Sequence, residues 1–235
     1  MKNLLLCCIL VLQLTSCSSD SDFNSIELKE NVLKTNGNLS LPQNNANPFD
    51  YKGKEYFNAL TLYQKENQYP NSVAEISNQL RFIASKIGKS PSTGKLALSG
   101  KNIISFNDEI VQSIMADPDN NMISIVDDSS LSSSAKASLI SFLQGLISRR
   151  QLEFSIIYNY IVDYEDTILD GNTWNQDDRD TILTVASISR YSLYSESERK
   201  DRDWESSAGN KPAKTFFSNN EASVISIIAV LDKII

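Results

Sequence analysis

The chain has 235 residues, 41% apolar and 22% charged, with 22 Lys and Arg against 29 Asp and Glu for a net charge of −7. It has no His, which excludes Ser-His-Asp and Cys-His catalysis. The acidic balance, with no cluster of Lys or Arg, argues against a nucleic-acid partner, because phosphate binding needs such clusters.

Lys2 opens the chain, an apolar run spans Leu4 to Leu14, and Leu14-Thr15-Ser16-Cys17 closes it. The run is shorter than the ~20 residues needed to cross a bilayer. A charged start, a short apolar stretch and small residues before a cut are the marks of an export leader. The four residues resemble the lipobox of bacterial lipoproteins. That resemblance implies cleavage before Cys17, acylation of Cys17 and attachment to the cell envelope, at the outer membrane on its periplasmic or surface face. Two or three acyl chains anchor far more firmly than one. Cys7 and Cys8 would leave with the leader and the lipid would consume Cys17, so the mature chain would carry no thiol and no disulfide. Common zinc ligand sets are then excluded as well. The expected organisation is a leader over 1–16, a flexible tether over 17–25 and a helical domain over 26–235. Ser18 to Asp22 is small, polar and acidic, which suits a tether and also resembles the surface-export signals of Bacteroidota lipoproteins.

Val32 to Leu41 reads as a short β-hairpin, with Leu33 and Thr35 alternating before Asn36-Gly37 and Leu39 and Leu41 after it. Asn-Gly suits the tightest hairpin turn. A first helix is expected from an Asn47 N-cap with Pro48 at its first position. Tyr56, Leu60 and Tyr63 form its stripe, and Tyr69-Pro70 ends it. Ser72 and Glu75 form a capping box for the next helix. Its stripe is Val73, Ile76, Leu80, Ile83, Ala84 and Ile87, with Gly88 as a C-terminal stop. Lys89 to Lys101 reads as a loop, and Asn107 to Met115 as a short helix that stops before Pro118. The serine-rich stretch Asp127 to Ser134 either divides two lobes or caps the helix after it. Further helices are expected over Ala135–Arg149, Leu152–Leu169, Gln176–Ser195 and Asn220–Ile235, with Glu196 to Gly209 exposed. The last helix is apolar all round, so it is expected to be buried. The fold class is mainly α, a multi-helix bundle-like domain with an N-terminal hairpin.

Asn47-Pro48-Phe49-Asp50-Tyr51-x-Gly53, with Asn58 soon after, and the later block Val185-Ala186-Ser187-Ile188-Ser189-Arg190-Tyr191-Ser192 are similar to two motifs of uncharacterised Bacteroidota lipoproteins. Members often carry His after the Gly, and this chain does not. The resemblance implies a lipoprotein with a helical fold and no assigned activity.

No glycine-rich phosphate loop is present. Asp117, Asp119, Asn121 and Asp128 place oxygens at calcium-loop-like spacing, but Met122 and Asp128 stand where such a loop needs Gly and a bidentate Glu. Turn chemistry around Pro118 explains them more simply. Asp170, Asn172, Asp177, Asp178 and Asp180 read as a turn and then compensation of a helix dipole. Asp163, Asp166 and Asp170 share one helical face near Tyr160 and Tyr164. They retain carboxylate-pair glycan hydrolysis as a formal option, against a solvated acidic face. Tyr56, Tyr63, Tyr160 and Tyr191 are expected in the core with hydroxyls at the surface.

No cofactor and no catalytic residue is assigned. The expected function is a lipid-anchored, non-catalytic, protein-binding domain of interaction or immunity type, touching the membrane through the lipid on Cys17. The alternatives are a glycan-binding or glycan-hydrolysing envelope lipoprotein, and a structural assembly protein with a large apolar patch.

Overall fold

Apolar residues at three- and four-residue intervals become helices throughout the described chain. The computed structural model describes residues 42–87, 108–171, 173–206 and 221–234, with 201–206 and 232–234 as backbone alone. These residues belong to one compact unit, Leu39–Ile235. Regular structure among them is all α, with no strand. The helices are α1 (Asp50–Glu66), α2 (Val73–Ile87), α3 (Asp108–Ala116), α4 (Pro118–Asp127), α5 (Ser133–Arg149), α6 (Phe154–Asp170), α7 (Gln176–Ser206) and α8 (Glu221–Ile234). The leader, Cys17, the tether, the Val32–Leu41 hairpin, Gly88 and the Lys89–Lys101 loop lie outside the described residues.

Two helices form the axis of the unit. α7 packs against α1, α5, α6 and α8, while α8 packs against α2, α3, α4 and α7. Residues 181–196 of α7 and 222–231 of α8 are buried on every side. The all-round apolar sequence of α8 accounts for its position. α7 is less obvious, because Thr181, Thr184, Ser187, Ser189, Ser192 and Ser195 are buried with its apolar residues. Hydroxyls among them find partners close by. Thr184 donates to Asp180 O at 2.8 Å and Ser189 to Val185 O at 2.9 Å. A small residue whose hydroxyl returns to its own helix needs no water, so it tolerates burial.

The structure differs from the sequence reading most clearly in three stretches of helix. α1 begins at Asp50 rather than at Pro48, although Asn47 Oδ1 still accepts the Phe49 N–H at 2.8 Å. The Asn47 Nδ2 group is drawn into the interior, where it donates to Glu165. Asp117 to Asn121, expected as a turn, is instead the cap and first turn of α4. Asp117 accepts the Asn120 N–H and Pro118 takes the first turn, where its missing N–H costs nothing. α7 does not stop at Ser195: Glu196 is 4% exposed and the helix runs on to Ser206. Its charged run suggests a solvent-facing segment, yet Glu196 is bound by Arg199 at 2.6 Å and by the Tyr69 hydroxyl at 2.8 Å. Those partners make its burial tolerable.

The caps elsewhere agree with the sequence. Ser72 Oγ accepts the Glu75 N–H at 3.3 Å, and Glu75 accepts the Asn71 N–H at 2.7 Å. Ser132, inside the Asp127–Ser134 stretch, caps α5 by accepting the Ala135 N–H. It also donates to Asp178 at 2.5 Å, which ties the start of α5 to the start of α7.

α1 and α7 approach closely at Gly53. A Cβ built there would lie 2.3 Å from Tyr191 Cδ2 and 2.6 Å from Ser187 O. Gly53→Ala must therefore push two helices apart. The expected loss is about 1–3 kcal/mol, read as a lower thermal midpoint with the helical circular dichroism spectrum retained.

Candidate functional site: a buried arginine–carboxylate clasp

The Asn-Pro-Phe-Asp block and the Ser-Arg-Tyr-Ser block meet in the interior. Arg190 of the α7 block has no exposed surface, although an isolated buried guanidinium is heavily disfavoured. Its Nη2 donates to Asp50 Oδ1 at 2.8 Å and to Glu165 Oε1 at 3.1 Å. Its Nη1 donates to the Pro42 carbonyl. Asp50 comes from the Asn-Pro-Phe-Asp block and Glu165 from α6, so one side chain joins three parts of the chain.

The carboxylates are closely coordinated. Glu165, fully buried, accepts from Asn47 Nδ2 and from Asn44 Nδ2, each at 2.7 Å. The Asn47 amide also donates to Leu183 O at 3.0 Å. Asp50 accepts the Asn44 N–H at 3.1 Å and the Tyr191 hydroxyl at 3.0 Å. One guanidinium facing two carboxylates leaves a local excess of negative charge, which these amide and hydroxyl donors offset. Burial by itself would lower the Arg190 pKa, but Glu165 and then Asp50 more than reverse this and hold it above its ordinary value. Burial, reinforced by the Asp50 charge, raises the Tyr191 hydroxyl well above the usual tyrosine range. The proton it donates to Asp50 is therefore firmly held.

Ser187 completes the junction. It accepts the Gly53 N–H at 3.1 Å and donates to Asp50 O at 3.2 Å. The first N–H groups of a helix lack partners within it. Here α7 supplies one, which explains why α1 must come close enough to exclude a Cβ at Gly53.

The sequence-selected residues fare unevenly. Asp163, Asp166 and Asp170 lie on the exposed side of α6. None of them lines either of two small, partly open cavities, one between α1, α2, α7 and α8 and the other near Ile114 and Ile225. Asp117 is engaged as the α4 cap, and hydrogen bonds from Asn120 lower its pKa. Asp119 is exposed, Asn121 donates to Ser113 O and Asp117 O, and Asp128 closes the far end of α4. The helix thus separates the calcium-spaced oxygens. Among the described residues no group of three or more Asp, Glu, His or Cys is arranged to hold a metal. Asp178 is bound by Asn175 and Ser132. Tyr56 and Tyr191 are core residues, but their hydroxyls are inside rather than at the surface, bonded to Ser192 and Asp50. Tyr160 stacks on Phe142 with ring centroids 5.7 Å apart.

Glu165 is absent from the residues that the sequence singles out. The signal for it is its place in the stripe Ile157, Ile161, Glu165, Ile168, a charge where the period requires an apolar residue. Arg190 interrupts the Ala186–Leu193 stripe in the same way.

The arrangement ties the chain to itself. Each carboxylate accepts from three donors, the Arg190 guanidinium among them. Comparison with protein-family models, curated proteins and solved structures gives no match.

Arg190→Met leaves the buried Glu165 and the partly buried Asp50 without their cation and is expected to cost about 3–5 kcal/mol. Glu165→Gln keeps a polar group against Asn44 and Asn47 and leaves Arg190 its Asp50 partner. Its expected cost is smaller, about 1–3 kcal/mol. Urea unfolding monitored by circular dichroism gives the order.

Proposed function

We propose that this chain is a lipid-anchored protein of the bacterial cell envelope whose helical domain binds another protein and catalyses no reaction. The address rests on Lys2, the apolar run and Leu14-Thr15-Ser16-Cys17, with Cys17 as the acylated residue. Attachment at the outer membrane, on either face, rests on the same resemblance. The resemblance of the Asn-Pro-Phe-Asp and Ser-Arg-Tyr-Ser blocks to Bacteroidota lipoproteins is consistent with it.

The binding role is carried by one observation. Leu152 and Ile156 are 45% and 49% exposed, Leu152 in the bend just ahead of α6 and Ile156 in its first turn. Asp163, Asp166 and Asp170 continue along the solvent side of the same helix. Exposed apolar residues rimmed by polar ones are a common form of protein contact surface. The interior charges support this reading too. Asp50, Glu165 and Arg190 are committed to one another and to the segment ahead of α1, a structural use rather than a reactive one.

Two measurements test the proposal. In a bacterial host, the wild-type chain is expected to take up a clickable palmitate and stay in the membrane fraction, and Cys17→Ser to lose both. An unlabelled wild type, or a labelled serine variant, removes the lipoprotein reading. Envelope pull-down with wild type is expected to recover a protein that the Leu152→Ser/Ile156→Ser variant fails to recover. Identical recovery by both moves the contact surface away from α6.

A further inference from the structure

Four helices leave a partly open cavity of about 10 Å³ between them. Tyr56 reaches it from α1, Gln79 from α2, Ser192 and Glu196 from α7, and Ser223 and Ser226 from α8. Its walls are strongly polar for the inside of a bundle, and α8 is otherwise mostly apolar where it meets them. We infer that the cavity binds one ordered water molecule, held by Gln79 Oε1 and the surrounding hydroxyls.

Gln79 is 5% exposed, and its buried Oε1 has no hydrogen-bond partner among the described residues. Leaving such an acceptor unpaired is unfavourable, so a donor belongs beside it. The nearby hydroxyl protons are largely committed elsewhere. Ser226 donates to Ala222 O at 2.7 Å, Ser223 donates to Ser192 O at 3.3 Å, and Tyr56 and Ser192 share a bond at 3.3 Å. Gln64, Gln79 and Ser195 add amide and hydroxyl donors to the same wall, so the cavity suits a small molecule that both donates and accepts.

Size and charge select the molecule. A buried water needs about 10–15 Å³ of such space and two to four polar partners, which this cavity meets and any organic ligand exceeds. A metal cation would also accept lone pairs, but it needs negative charge to replace its hydration. Among the described residues Glu196 is the only carboxylate lining the cavity, and Arg199 binds it at 2.6 Å while the Tyr69 hydroxyl donates to it at 2.8 Å. The wall is thus close to neutral, which favours water. Bound there, the water links α1, α2, α7 and α8 at the crossing of the two axial helices. Ser223 and Ser226 interrupt the apolar sequence of α8 where they line this site.

Magnetic relaxation dispersion of water oxygen-17 on the full chain counts long-lived internal waters. Ser226→Val fills the cavity and Gln79→Met removes the unpaired acceptor at similar volume. Each is expected to lower the count by about one relative to wild type. Should Ser226→Val fail to fold, the near-isosteric Gln79→Met carries the test, with folding checked by circular dichroism. An unchanged count in a folded Gln79→Met overturns the inference. Thermal midpoints in sodium, potassium and choline chloride at equal ionic strength are expected to coincide. A rise specific to sodium or potassium overturns it in favour of a cation site.

Discussion

Arg190 is the constraint on which the rest of this structure depends. A guanidinium with no exposed surface is stable only if the chain brings it acceptors. This chain brings Asp50, Glu165 and the Pro42 carbonyl. Everything that supplies them is thereby fixed: the entry of the chain ahead of α1, the rotation of α6 and the register of α1 on α7. Apolar stripes alone would hold these helices together yet let them slide, since one aliphatic contact resembles the next. The ion cluster distinguishes one alignment from its neighbours. Its value is therefore best understood as specificity, with net stability a smaller matter because desolvation offsets much of the attraction.

The close approach at Gly53 and the clasp depend on each other. Ser187 can partner the Gly53 N–H only if no side chain intervenes. Asp50, one turn earlier on α1, can reach Arg190 only if the helix comes that near. The glycine and the carboxylate act as a unit, which accounts for the length of the Asn-Pro-Phe-Asp-Tyr-x-Gly block. Likewise, the small hydroxyl residues of α7 let a helix sit among four others without large side chains holding them off.

Most of the helices are legible in the sequence because their apolar residues recur with a single period and their caps are local. Ser72 with Glu75 and the apolar α8 need no distant partner to be recognised. The start of α1, α4 and the last third of α7 are not legible, for different reasons. Pro118 ends one helix and opens another, and a composition rule does not separate those roles. The acidic and basic residues after Ser195 look solvated until Tyr69 is brought beside Glu196. Clasp residues separated by more than a hundred positions cannot be paired by spacing, so Asn44, Asn47 and Glu165 are invisible as a site. Their trace is limited to charges interrupting otherwise apolar stripes.

That separation also governs when the structure can close. The residues near Asn44 that bind Glu165 and Arg190 lie 118 to 148 positions ahead of the partners they meet. During synthesis the segment around Asn44 to Asp50 leaves the ribosome long before its partners exist. Local helices can form in the meantime, but the entropy of closing so long a loop is met only when α6 and α7 are both available. The chain therefore cannot commit to its final topology until nearly all of it has been made.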